Sequence, residues 1–118
     1  MITLLLTIIF GSTTIYIENP IVETRIATIT GYSSEESQTD STPFLTASQT
    51  KVRDGVIACP RDLEFGVKVI IDGKEFICED RMNIRHTNRF DIWFESTQKA
   101  LKWGNQIKLI EIRHEKNI

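Results

Sequence analysis

The sequence predicts a mainly β domain, a small barrel, with one short helix. Short apolar runs rich in β-branched residues recur about six or seven times, and turn signals separate them at intervals of roughly eight to twelve residues. The stretch 97–103 carries helix start and stop signals. At 118 residues and 41% hydrophobic composition, the chain has room for a single core. One domain is therefore expected at 21–118, after an apolar segment at 1–20.

The N-terminal segment is predicted to be an export signal or a membrane anchor. Met1 to Phe10 is almost wholly apolar, and no charged residue appears before Glu18. This uncharged span of 17 residues resembles the apolar core of an export signal and is at the lower limit for crossing a bilayer. No basic residue precedes the span and no clear cleavage site follows it, so a hydrophobic first strand is the alternative. Export predicts a location in the cell envelope or outside the cell.

The first strand of the domain is predicted at Ile21 to Tyr32, where Ile, Val and Thr dominate and no breaker precedes Gly31. A polar surface loop follows at 33–43 because this stretch has no apolar residue to bury. Within the loop, Asp40 stands among hydroxyl residues just before the chain returns to the core. A carboxylate in that position is a candidate to face a cleft.

The clearest unit of the sequence is a predicted hairpin. Two predicted strands, Lys68 to Ile71 and Lys74 to Asp80, flank Asp72-Gly73. This dipeptide favours the left-handed positions of a two-residue type I′ turn. A short buried strand is predicted before the hairpin, at 55–60.

The C-terminal part is predicted to contain two strands and the helix. The strands are expected at 90–94 and 106–113. Ser96 can cap a helix over 97–103, and Gly104 stands where a helix stop is expected.

The two cysteines, Cys59 and Cys78, each end a short apolar strand. If the chain is exported, a disulfide between them would close a loop of about 20 residues, which the chain-entropy estimate values at about 3 kcal/mol. Two free cysteines packed as small core residues are the alternative, because the sequence does not give their Cβ geometry.

Charged and aromatic residues are densest between Glu79 and Phe94. Asp80 follows one apolar run and Asp91 opens another, so each carboxylate stands where a strand leaves or enters a core. Burial raises the cost of ionising such a group, and the arginines between the two aspartates offset that cost. This stretch is the candidate active or binding site, and an ion-pair loop is the structural alternative.

Bulk charge argues against several classes of function. A net charge of −2 lacks the excess of positive charge that is typical of nucleic-acid-binding domains. His86 and His114 lie far apart and, with only two cysteines, lack the spacing of a zinc site. We therefore expect no nucleic-acid partner and no metal site.

Five blocks occur in a fixed order along the chain. They are Thr39–Ser48, Ala58–Leu63, Phe65–Val69, Glu79–Arg81 and Phe90–Phe94. Together they closely resemble the three-aspartate (3D) domain over roughly residues 26 to 113. The resemblance implies a six-stranded double-psi β-barrel, as in the catalytic domain of membrane-bound lytic transglycosylase A.

The resemblance also implies a site and an activity. Asp40, Asp80 and Asp91 match the three name-giving aspartates, and Asp91 matches the catalytic one. The implied enzyme is a lytic transglycosylase that cleaves MurNAc–GlcNAc bonds in peptidoglycan glycan strands without a cofactor. Asp80 is expected to tune and hold Asp91. We expect substrate contacts from four other residues: Tyr32, Thr46, Lys68 and Arg85.

The chain departs from the family pattern at two places. Family members usually have a glycine-rich loop between the second and third aspartates, whereas residues 82–88 here are bulkier and more basic. The turn after Ser48 normally has glycine, and here it has Gln49. The altered loop at 82–88 favours, as the alternative, a non-catalytic module that binds glycan or assists cell-wall assembly on the same barrel.

Overall fold

The computed structural model describes the backbone of residues 5–10 and 13–18, and both backbone and side chains of residues 21–35 and 44–114. In chain order, the elements are β1 (Leu5–Phe10), β2 (Thr13–Glu18), β3 (Ile21–Tyr32), β4 (Val56–Cys59), β5 (Lys68–Ile71), β6 (Lys74–Arg81), β7 (Arg89–Trp93), α1 (Thr97–Trp103) and β8 (Gln106–His114).

Six strands close into a barrel in the order β3-β7-β4-β6-β5-β8, and β8 pairs again with β3. The pairs β3/β7 and β4/β6 are parallel, and the other four are antiparallel. The predicted mainly β class and six-stranded barrel are confirmed, together with one short helix within the described part of the chain. The mixed pairing is consistent with the predicted double-psi arrangement.

Alternating side chains fill the barrel interior. In β8, Ile110 and Ile112 are buried, whereas Ile107 and Leu109 on the opposite face are exposed. This period of two is the pattern of a strand with one face on a core. Phe90 is the largest of the fully buried side chains.

A disulfide joins Cys59 at the end of β4 to Cys78 in β6. Their Cα atoms are 5.7 Å apart and both side chains are fully buried. The predicted disulfide is confirmed, and the alternative of two free core cysteines is wrong. The bond ties together the two strands that carry Ala58 and Asp80.

Among the described residues, two turns contain a non-glycine residue with positive φ. Asp72 (φ 51°) and Gly73 (φ 78°) connect β5 to β6, which confirms the predicted hairpin turn. Gln49 also has a positive φ, 68°, at the position where the 3D-domain pattern has glycine. This turn is held by two backbone hydrogen bonds, from Gln49 N to Thr46 O and from Thr46 N to Thr50 O.

Helix α1 packs on the barrel beside β3. Ser96 caps it by accepting a hydrogen bond from Lys99 N, and Gly104 (φ 71°) ends it, as predicted. Gly31 allows the close packing, since a Cβ there would lie 2.7 Å from the Phe94 ring and 3.1 Å from Ala100 O.

The strands β1 and β2 pair with each other as an antiparallel two-stranded sheet. Among the described residues, no helix has the length and apolar character needed to cross a membrane. The export signal or anchor at residues 1–20, and the location that follows from it, stay predictions.

Candidate active site

Strand pairing brings Asp80 and Asp91 to opposite sides of one small residue. Ala58 on β4 pairs with Asp80 on β6 and with Asp91 on β7. The register of β4 against β6 shifts between Ile57 and Ala58, and such a bulge changes the direction of neighbouring side chains. Because Ala58 has only a methyl side chain, space remains between the two carboxyl groups.

That space is a cavity of about 250 Å³. Two of the three predicted site aspartates, Asp80 and Asp91, line it, as does the predicted substrate-binding residue Tyr32. The other lining residues are Ala58, Arg81, Met82, Asn83, His86 and Arg89. The cavity therefore combines two carboxyl groups with several basic and amide donors.

Three donors hold the carboxylate of Asp80. Its Oδ2 accepts from the Tyr32 hydroxyl at 2.8 Å, and its Oδ1 accepts from the backbone N–H groups of Ala47 (3.0 Å) and Arg81 (2.9 Å). Donors from β3, the 44–51 turn and β6 thus fix both oxygens. Asp80 is oriented and satisfied, which suits a supporting role.

Asp91 has a different environment. Its Oδ1 accepts a hydrogen bond from Thr30 Oγ1 at 2.8 Å, across the parallel β3/β7 pair. Burial raises the pKa of Asp91, and the negative charge of Asp80 adds to this effect. The Thr30 hydrogen bond and the positive charge of Arg89 oppose it in part. The net upward shift favours the protonated form more than in an exposed aspartate, as a general acid requires.

The charges of both aspartates act on the Tyr32 hydroxyl. Burial, followed by the charge of Asp80 and its hydrogen bond, raises the pKa of Tyr32 far above its usual range. Asp91 contributes in the same direction. The hydroxyl therefore stays protonated and acts as a fixed hydrogen-bond donor to Asp80.

The basic loop at 82–88 contributes unequally to the cavity. His86 and the following Arg89 line it, whereas Arg85 is exposed and contacts His86, with its Nε 3.4 Å from His86 Nε2. Partial desolvation and the charges of Arg89 and Arg85 lower the pKa of His86. Arg89 is the basic residue with a direct electrostatic effect on Asp91 among those that line this cavity.

The other predicted site residues lie elsewhere. Thr46 is buried, and its hydroxyl bonds with Ser48 and Thr50 inside the turn that presents Ala47 N–H to Asp80. Lys68 is on β5, where its ammonium lies 4.0 Å from the Glu75 carboxylate, and it does not line the cavity. Asp40 lies outside the described residues.

Thr30 and Ala47 are functional neighbours that sequence reasoning missed. Thr30 is separated from Asp91 by 61 residues and meets it through the parallel register of β3 and β7. Ala47 contributes only its backbone N–H, which no side-chain pattern reveals. The alternating Thr positions in β3 were the available signal for Thr30, because they put hydroxyl groups on one face of the strand.

Within residues 21–35 and 44–114, no three His, Cys, Asp or Glu side chains are grouped in a way that could hold a metal ion. The cavity offers the Asp91 carboxyl group, which can exchange a proton, and neighbouring groups that can form hydrogen bonds with a ligand.

The fold and the site define a small mixed β-barrel with two carboxyl groups in one cavity. Comparison with known protein families finds no match, and comparison with curated proteins finds no significant relative. The relationship to the 3D domain therefore stays a prediction based on the five sequence motifs.

Proposed function

We propose that this chain is a lytic transglycosylase-like enzyme that cleaves MurNAc–GlcNAc bonds in peptidoglycan. The observation that carries the proposal is the contrast between two carboxyl groups in one cavity. Asp91 is largely desolvated with a raised pKa, whereas Asp80 is held by three donors. Paired carboxyl groups in different environments are typical of acid–base sites. The choice of peptidoglycan glycan as the substrate comes from the resemblance of the five sequence motifs to the 3D domain.

In the proposed reaction, the Asp91 carboxyl group donates its proton to the glycosidic oxygen. The bond from that oxygen to C1 of MurNAc breaks, and its electron pair stays on the departing GlcNAc hydroxyl. The 6-hydroxyl oxygen of the same MurNAc then bonds to C1, and its proton returns to the Asp91 carboxylate. The product is a 1,6-anhydro sugar, water is not consumed, and the acid is regenerated.

Asp80 is proposed to assist without transferring a proton. Its three hydrogen bonds hold a negative charge at a fixed position in the cavity. Cleavage of a glycosidic bond develops positive charge at C1 in the transition state, which a nearby carboxylate stabilises. The same charge contributes to the raised pKa of Asp91.

One observation favours the alternative of a glycan-binding module without turnover. Arg89 lines the cavity, and its Nε donates to Thr30 Oγ1 at 3.2 Å. Its positive charge lowers the pKa of Asp91 and so favours the ionised form, which cannot donate a proton. The module binds glycan in the same cavity and releases it uncut.

The test is incubation of the purified chain with peptidoglycan, followed by mass spectrometry of the soluble products. Anhydromuropeptides are expected from the wild type and from the control variant Asp54→Asn, which changes an exposed aspartate. None is expected from Asp91→Asn, because an amide keeps the shape of the side chain but has no acidic proton. A melting curve for each variant checks the fold.

Wild-type product yield from folded Asp91→Asn would refute the assignment of Asp91. Binding of glycan by the wild type without any anhydro product would replace the enzyme with the binding module.

A further inference from the structure

A second cavity, of about 310 Å³, shares His86 with the cavity that contains Asp91. Its other lining residues are Pro60, Arg61, Asp62, Ile84 and Thr87. Because one side chain belongs to both walls, a ligand that fills the first cavity can extend past His86 into the second. A polymer such as a glycan strand has the length to occupy both.

The charges around the second cavity favour an anion. Arg61 supplies a guanidinium group at an exposed position of its wall. The carboxylate of Asp62 is already paired, since its Oδ2 accepts from Arg25 Nη2 at 3.0 Å. Arg85, next to His86, adds a second positive charge nearby. Arg25 also donates two hydrogen bonds to Glu23, so Asp62 keeps part of its negative charge. Arg61 and Arg85 together still leave an excess of positive charge around this cavity.

His86 adds a directional donor at the junction of the two cavities. Its Nε2 accepts from Arg85 Nε, so the ring proton is assigned to Nδ1. A neutral imidazole with this tautomer has one N–H left to donate. Thr87 adds a hydroxyl group, and Ile84 an exposed apolar side chain, to the same wall.

We propose that the second cavity binds a carboxylate that the glycan carries next to the sugar held at Asp91. Arg61 supplies the charge and His86 a hydrogen bond. The inference rests on the proposed function and adds to it a preference for acidic glycan. A peptidoglycan strand presents such a carboxylate in two ways, as a free lactyl group on MurNAc or on the stem peptide attached there.

The test compares three tetrasaccharides of alternating GlcNAc and MurNAc. The first has free lactyl carboxylates, the second has the same groups converted to primary amides, and the third carries stem peptides. Binding is followed by NMR with Asp91→Asn, which prevents turnover; the wild type at low temperature replaces it if the variant does not fold. The amide form has the same shape as the free form without its charge, so it is the matched control ligand.

We expect the amide form to bind about fivefold more weakly than the better of the two acidic forms, the size typical of one exposed charge pair. The ring signals of His86 should move with the acidic ligands, whereas those of His114, the only other histidine, should stay in place. Arg61→Gln should reduce the fivefold ratio to near one. Arg113→Gln, which changes an exposed arginine paired with Glu111, should leave the ratio intact.

The outcomes separate the two proposals. Movement of the Tyr32 signals with equal affinity for acidic and amide forms would refute the carboxylate subsite and leave the glycan site standing. An absence of binding by all three ligands would refute both. Tighter binding of the first or the third ligand supports the subsite and identifies the lactyl group or the stem peptide as the source of the carboxylate.

Discussion

Removing the disulfide should destabilise the barrel by an amount that the loop length sets. Cys59 and Cys78 are 19 residues apart. The chain-entropy relation gives about 3 kcal/mol for a loop of this size at room temperature. In a domain of this length, 1 kcal/mol corresponds to about 4–8 °C in the melting temperature, so the expected loss is roughly 12–24 °C.

The assay is thermal unfolding followed by circular dichroism for three samples. These are the oxidised wild type, the wild type in reductant, and the Cys59→Ala/Cys78→Ala variant. The variant should melt at or below the reduced wild type, because it also lacks two buried sulfur atoms. Intact mass under non-reducing conditions should be about 2 Da below the reduced mass.

Melting of the double variant within about 3 °C of the oxidised wild type would refute the reasoning. It would mean that residual structure already keeps the β4 and β6 segments close together in the unfolded ensemble, so that the cross-link restricts this ensemble little.

Three other perturbations test particular contacts. The folded-state pKa of Asp91 is raised above the ordinary value of 3.8. In urea unfolding, the stability of the wild type relative to Asp91→Asn should therefore be highest below pH 3.8 and should fall as the pH rises through the folded-state pKa. A difference that stays constant or rises with pH contradicts this. Gln49→Gly should raise the free energy of unfolding by about 0.5 kcal/mol, since glycine adopts φ 68° without strain, and a loss of stability would show that the Gln49 side chain matters. Gly31→Ala should cost about 1–3 kcal/mol in the same assay because its Cβ would lie 2.7 Å from the Phe94 ring, and the cost should shrink in a Phe94→Leu background; an equal cost there would point to Ala100 O instead.

Local sequence signals were sufficient to predict most elements of this barrel. Strand β3 and helix α1 have the predicted bounds, and Asp72-Gly73 forms the predicted turn. Each of these depends on neighbouring residues, either through side-chain alternation or through a capping residue. The cysteine pair was predicted as one of two alternatives because its geometry depends on the packing of β4 against β6.

The arrangement around the aspartates was only partly predictable. Motif order grouped Asp80 with Asp91, and both line one cavity. The hydrogen bond from Thr30 to Asp91 depends on the register between two strands that are distant in sequence, and pattern reasoning does not supply that register. Thr46 was expected to contact substrate, but its hydroxyl is used to build the turn that orients Asp80 through Ala47.

The loop at 82–88 is attached to the barrel at both of its ends. Met82 N donates to Cys59 O at 3.1 Å, and the Asn88 side chain donates to Ile26 O at 2.7 Å. Between these anchors, the hydrogen bonds of Arg85 N and His86 N both go to Asn83, inside the loop. The residues between these two anchors can therefore be replaced by a segment of other composition without disturbing the strands. Such a replacement would change which ligand binds, whereas Asp80 and Asp91 would keep their positions on β6 and β7.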